Sequence, residues 1–398
     1  MKKKVLAVVI LLTLMRMDGL SAADIITLTA PQLGGSMPNI DIGVINNELN
    51  AIVRDLQTEI NRPFQGINPG LPKLIGAFAD SSVFASTGAS LRGYQGYKTF
   101  ALTVGAVGGV QLPLNIFSLV GNIANIEGEI EELLADIQSD LDLQFGINPQ
   151  ILNAQLGINT RFIKGLYLGL KGGYMNLPAS FFENYFGGFP LSFQTLSAGG
   201  LVNYQLIPQF RLLGGFILWR GLNLGAGFIY QSTSLDFSMS LPIDDEDLKF
   251  LIWEDTSPAN LGKITGEISD PKINFGFIVN TYTVPLEAVT SFRFLGFLNT
   301  SVGVGADLGF GDARLGAGVS GDVNLNIDSG LRGLGLNVGR QGSFSATIRG
   351  ESTPTLFNPK AMASLGFSAG PAIILDIPIT YYFLNNGLNF GITLGIAL

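Results

Sequence analysis

Over residues 315–327 the chain alternates without a break. Leu315, Ala317, Val319, Gly321, Val323, Leu325 and Ile327 share one face, and Gly316, Gly318, Ser320, Asp322, Asn324 and Asn326 share the other. The last eleven residues repeat the pattern, and 166–174, 222–228, 301–310 and 334–339 follow it with few breaks. Period two over such lengths is the signature of a strand with one apolar face. A water-soluble sheet would turn that face inward and carry Lys and Glu outside. Here the second face carries Gly, Asn, Ser and Thr, and charged residues are only 14% of the chain, against roughly 25% in soluble domains. A membrane barrel places the apolar face on lipid and the uncharged polar face in the lumen. That reading also accounts for 47% apolar residues and 52 glycines.

The absences narrow the function. There is no histidine and no cysteine, which removes the Ser-His-Asp triad, the Cys-His pair, disulfides and zinc sites built on imidazole or thiolate. Residues 1–23 read as a secretory signal: Lys2, Lys3 and Lys4, an apolar core from Val5 to Met15, then small residues, with cleavage after Ala22 or Ala23. The core is too short for a helix that spans a bilayer, which needs about 20 residues. Cleavage would remove Lys2, Lys3, Lys4, Arg16 and Asp18, leaving 19 basic and 30 acidic residues and a net charge of −11. An acidic chain without a basic face is not expected to bind nucleic acid.

The C-terminal strand resembles that of bacterial outer-membrane β-barrels, with Leu388, Phe390, Ile392, Leu394, Ile396 and Leu398 at alternate positions up to the end. The resemblance implies that Phe390, Ile392, Leu394, Ile396 and Leu398 form the signal read by the barrel-insertion machinery, and that the protein resides in the outer membrane, in contact with its lipid. This chain departs from the usual aromatic last residue by ending in leucine. The fold expected is all-β, a transmembrane antiparallel barrel over 97–398. Strands are expected at 98–112, 148–162, 166–177, 191–206, 222–240, 272–293, 298–310, 314–327, 332–349, 361–382 and 388–398. That makes eleven, and single-chain bacterial barrels have an even number. The expectation is therefore twelve, within ten to fourteen. The irregular stretch 78–92, and the over-long stretches 191–217 with Pro208 and 361–382 with Gly370-Pro371, are where the miscount would lie.

Four segments place an aromatic before a short turn and a leucine after it: Phe162 to Leu166, Phe216 to Leu222, Phe294 to Leu298 and Phe383 to Leu388. Gly165, Gly221 and Gly387 suit the positive φ of tight hairpins, and the aromatics suit a membrane-interface girdle.

Two stretches follow helical spacing instead. Residues 40–61 and 122–142 carry apolar stripes that match at a constant offset, Ile45 with Ile126 through Ile60 with Leu141, and Gly-Ile-Asn-Pro follows each, at 66–69 and 146–149. Two amphipathic helices, outside the barrel or plugging it, are expected: one in an N-terminal segment over 24–96, the other in an insertion at 120–142. A plug would be loosely similar to the N-terminal hatch of outer-membrane fatty-acid transporters. The acidic segment 243–270 and the aromatic run 181–189 read as exposed loops.

These features favour passage over chemistry. The expected role is an outer-membrane channel for passive or gated movement of small neutral or amphipathic solutes. The alternatives are a transporter of hydrophobic solutes such as long-chain fatty acids, and a structural or adhesive surface protein. Candidate lumen-lining residues are Lys171, Asp307, Asp322, Asn324, Asn326, Arg332 and Arg340. No catalytic residue, cofactor or metal is expected.

Overall fold

The computed structural model describes residues 26–29, 32–34, 43, 46, 47, 50, 51, 70–87, 97–111, 145–181, 191–240, 249–254, 262–333, 335–369 and 372–398. The signal segment, the helix expected over 122–142, the first Gly-Ile-Asn-Pro and most of the 181–189 run lie outside them. The strands are β1 (Ile26–Thr29), β2 (Gln32–Gly34), β3 (Phe100–Gln111), β4 (Gly146–Asn159), β5 (Leu166–Leu177), β6 (Leu191–Ile207), β7 (Phe210–Leu212), β8 (Ile217–Ser240), β9 (Lys249–Glu254), β10 (Lys263–Phe294), β11 (Leu298–Ile327), β12 (Asn337–Arg340), β13 (Gly342–Ser352), β14 (Phe357–Ala369), β15 (Ile373–Tyr382) and β16 (Gly387–Ala397). Helices among the described residues include α1 (Gly70–Thr87) and α2 (Ser329–Gly333). Residues 43, 46, 47, 50 and 51 are also helical.

Ten strands close a ring, in the order β3, β4, β5, β6, β8, β10, β11, β14, β15, β16 and back to β3, every neighbour antiparallel. Ten is the lower bound of the expected range. The strands expected at 298–310 and 314–327 are one, β11. The stretch 361–382 divides into β14 and β15 between 369 and 373, while 332–349 supplies β12 and β13, which lie off the ring. Residues 78–87, left irregular by the sequence, belong to α1.

β10 and β11 are far longer than a bilayer needs, 32 and 30 residues, where about 9–11 suffice for a tilted strand. Their surplus forms an extension, and the polarity of both faces reverses where it begins. On the inner face of β10, Ile273, Phe277 and Val279 are buried apolar residues, whereas Thr281, Thr283 and Ser291 below them are buried hydroxyls. On the outer face Tyr282 and Leu286 are exposed to the level expected of lipid contact, and Lys272 and Asn274 above them are exposed and polar, with Ile278 an exposed apolar exception between them. The reversal runs in register across three strands. Tyr230, Tyr282 and Phe310 form one cross-strand row, and Ser232, Asn280 and Asp312 form the next. The aromatic row lies where an interfacial girdle of a membrane barrel is expected; Phe228, Tyr230 and Tyr282 are in ring contact along it. From Tyr282 down to Phe292 is about eleven residues, one bilayer crossing.

This reversal corrects the sequence reading of 315–327. Leu315, Ala317, Leu325 and Ile327 are buried inside the extension, not turned to lipid. Below the boundary the expected orientation holds: Val304 is 62% exposed on the outer face, while Asp307 on the inner face is 0% exposed.

Connections at one end are short, joining β4 to β5, β10 to β11 and β14 to β15, and those at the other end are mostly long. Phe162, Phe216 and Phe294 lie at the short-turn end. Phe383 lies at the opposite end, in the turn from β15 to β16, so the four aromatics do not form a single girdle. Gly165 takes a positive φ of 83° in its turn, as expected. Gly221, at 85°, instead serves a bulge within β8 opposite β10, and Asn386, not Gly387, takes the positive φ beside Phe383.

Candidate functional site

The lumen contains α1. Pro72 sits in its first turn, where a missing N–H costs little, and its middle is built from small residues: Gly76, Ala77, Ala79, Ser81, Ser82, Ala85 and Ser86. Ile75, Ala79 and every residue from Ser81 to Ser86 are 0% exposed. A helix enclosed on all sides has no need of an amphipathic stripe, which is why periodicity does not reveal it. A ten-stranded lumen is only modestly wider than the eight-stranded one that side chains alone fill, so a helix 10–12 Å across with its side chains needs space cut from the wall. Glycines provide it. A Cβ on Gly109 would collide with the backbone at Ser81 and Ala85, one on Gly146 with the backbone at Ala77, and one on Gly387 with the Phe84 ring.

Polar contacts tie the helix to the wall on more than one side. The Ser82 and Thr281 hydroxyls lie 3.1 Å apart, and the Ser86 hydroxyl donates to Thr283 at 3.1 Å. Asn389 donates to the Phe84 carbonyl at 2.8 Å, and the Phe84 and Tyr382 rings stack with centroids 3.9 Å apart. Higher up, the Asp80 carboxylate accepts from the Thr355 N–H at 2.6 Å, the Thr355 hydroxyl at 2.9 Å and the Asn385 amide at 2.8 Å. Burial nevertheless pushes the Asp80 carboxyl up to about 6, with the two Thr355 bonds opposing the rise.

At the lower end of α1 lies a charge cluster. Lys360 Nζ is 2.5 Å from Glu287 Oε1 and 2.7 Å from Asp307 Oδ1. Asp307 Oδ2 accepts from the Tyr382 hydroxyl at 2.8 Å and from the Thr87 hydroxyl at 3.1 Å. Lys171, buried on β5, interacts electrostatically with Glu287, Lys360 and Asp307. Two lysines and two carboxylates thus balance inside the barrel, as buried charges must. Elsewhere the wall carries amides and hydroxyls, including an Asn148, Gln150, Asn153, Gln231, Thr233 and Thr195 network.

Of the residues proposed from sequence, Lys171 and Asp307 are brought together in this cluster. Asp322, Asn324 and Asn326 are not in the lumen: they stand on the outer face of the extension, where Asn324 bonds Ser269 and Asn326 bonds Glu267. Arg332 is exposed on α2, and Arg340 lies in β12, off the ring. The cause is the reversal of faces above Phe310. Glu287, Lys360, Tyr382, Thr87 and Asp80 escaped the sequence reading. For Lys360 the signal was available: it is the one charged residue of β14, as Lys171 is of β5, whereas Glu287 and Asp307 share their long strands with other charges. Phe390, Ile392, Leu394 and Ile396 all face outward from β16, and Leu398, just beyond it, is exposed too. Among the described residues there is no cluster that could hold a metal ion.

No curated protein matches this chain. Among solved structures it is similar to the translocator domain of autotransporter NalP from Neisseria meningitidis, with 10% identity, 76% of this chain and 88% of that one covered, and a TM-score of 0.32. It is similar also to the CymD monoaromatic hydrocarbon channel, with 10% identity, 81% and 97% coverage, and a TM-score of 0.23. The Pseudomonas putida toluene transporter TodX shows 9% identity, 81% and 96% coverage, and a TM-score of 0.22. The Lsa36-like family model matches residues 26–398, and the chain, a ten-stranded β-barrel with a helix in its lumen, belongs to that family.

Proposed function

We propose that the protein is a gated outer-membrane channel for small neutral solutes, closed in this conformation by α1. The observation that carries this reading is the kind of bond that seats the helix. Ser82 and Ser86 meet Thr281 and Thr283 through hydroxyls, bonds exchangeable with water that contribute only about 1 kcal/mol net each, and Thr87 donates to the Asp307 carboxylate, worth about 1.5–3 kcal/mol. Toward β10 such bonds and the Phe78–Phe277 ring contact seat the helix, so it can shift within a lumen whose wall is already suited to water. The amides of Gln155 and Asn223, both buried, have no hydrogen-bond partner among the described residues, and such groups fit a polar solute or water. The balanced cluster favours neither sign of ion. For the hydrophobic-solute alternative the plug is in favour and the polar wall against.

Planar-bilayer recording and liposome swelling test the proposal. The intact chain should open rarely, Thr281→Ala with Thr283→Ala should open more often, and neutral sugars should permeate faster than ions of similar size. Silence from both proteins, each with normal heat-modifiable migration, would reject a channel.

A further inference from the structure

The path of the N-terminal residues implies more than a plug. β1 pairs with β13, Ile26 opposite Ala346 and Thr29 opposite Ser343. β2 pairs with β12, and the Leu33 N–H and carbonyl are both bonded by the Asn46 side chain. β13 pairs with the extension of β11 over Ala313–Val323, and β12 precedes it in the same long connection from β11 to β14, at the long-loop end. α1 then runs down the lumen. Its Phe78 packs on Phe277, Ser82 meets Thr281, Ser86 meets Thr283, and Thr87 reaches Asp307 at mid-barrel. Tyr97 is already at the short-turn end, where its carbonyl accepts from Asn159 and its ring packs against Tyr167. Between Ile26 and Tyr97 the chain therefore goes from one side of the barrel to the other, and α1 lies within the ring on that route. The long loops of single-chain outer-membrane barrels face the exterior and the short turns the periplasm.

We infer that this chain threads its own barrel and displays its N-terminal segment, Ile26–Gly34 with the helical residues up to Ala51, on the outer surface of the cell. The barrel is then the port through which its own N-terminus is exposed, and α1 is the part of that segment left in the passage. The inference stands on geometry that is independent of whether the lumen conducts.

Because the natural chain has no cysteine, single cysteines report sidedness cleanly. Gln32→Cys and Asn47→Cys replace exposed residues of the N-terminal segment; Arg314→Cys on the extension and Lys164→Cys in a short turn replace exposed residues at the two ends. Intact cells expressing the full chain are treated with a membrane-impermeant maleimide, then again after the outer membrane is permeabilised. The expected result is labelling of Gln32→Cys, Asn47→Cys and Arg314→Cys on intact cells, with Lys164→Cys labelled only after permeabilisation. Protection of Gln32→Cys and Asn47→Cys while Arg314→Cys is labelled would overturn the threading. Labelling of Lys164→Cys with protection of Arg314→Cys would overturn the surface placement. Should one N-terminal variant lose heat-modifiable migration, the other reads the same side.

Discussion

Thr87, the last residue of the plug helix, and Asp307, in the first third of β11, share a hydrogen bond of 3.1 Å inside the barrel. The same carboxylate anchors Lys360 and Tyr382, so the end of the helix is tied to a wall acid that two other side chains also bond. Removing the Asp307 charge should loosen both. Asp307→Asn leaves Lys360 with Glu287 alone in a buried site, a loss of about 3 kcal/mol by the usual cost of breaking a buried pair. The unfolding temperature read by heat-modifiable migration should fall, and channel openings should become more frequent. An unchanged unfolding temperature would mean that the cluster does not hold the barrel.

Asp80 makes docking depend on pH. Seated, its carboxyl keeps the proton up to about pH 6; freed into water it returns to 3.8. The docked state binds more protons across that interval, so docking is favoured in full below about pH 4 and weakens by about 3 kcal/mol as pH rises through 6. Opening frequency should increase from pH 4 to pH 7, and Asp80→Asn should flatten the profile. A wild-type profile that falls with pH would contradict this assignment.

The glycine bed is testable by adding one carbon. Gly109→Ala places a methyl group against helix backbone that cannot move aside without shifting α1, whereas a Cβ on Gly316 meets open space. Gly109→Ala should raise conductance and Gly316→Ala should not, with both proteins still migrating as folded barrels. Equal behaviour of the two would argue against close seating of the helix.

The boundary between Phe310 and Asp312 predicts a depth effect on a single strand face. Val304→Lys puts a charge on the lipid side near mid-membrane and should destabilise by about 2–4 kcal/mol. Asn326→Lys, on the same face of β11 above the boundary and beside Glu267, should stay within about 0.5 kcal/mol of wild type. Chemical unfolding in detergent or lipid measures the pair, and similar losses at both positions would misplace the membrane.

Much of the barrel was legible because alternation and strand length are local properties. Leu166–Leu177 matches the expected strand, and β16 differs from it only at its ends. What alternation does not carry is which face turns inward, since period two is symmetric between them. Asp322 and Asp307 look alike in sequence, yet one is on the outer surface and the other in the lumen. The information lay in neighbours across the sheet: Tyr230, Tyr282 and Phe310 become a boundary only once the register places them in one row. The helix at 70–87 was hidden for a related reason. Its contacts surround it, and the glycines that accommodate it lie on other strands.

Those glycines also bear on assembly. Gly387 belongs to the last strand of the ring, Gly109 to the first and Gly146 to the second, and β16 pairs with β3 to join the ends of the sheet. The helix therefore lies across the seam. An open sheet has no such surface, because the parts that form it are separated by almost the whole length of the barrel sequence until the ends meet. Seating the helix and closing the cylinder are two descriptions of one event, and a barrel unzipped at that seam gives up its plug in the same step.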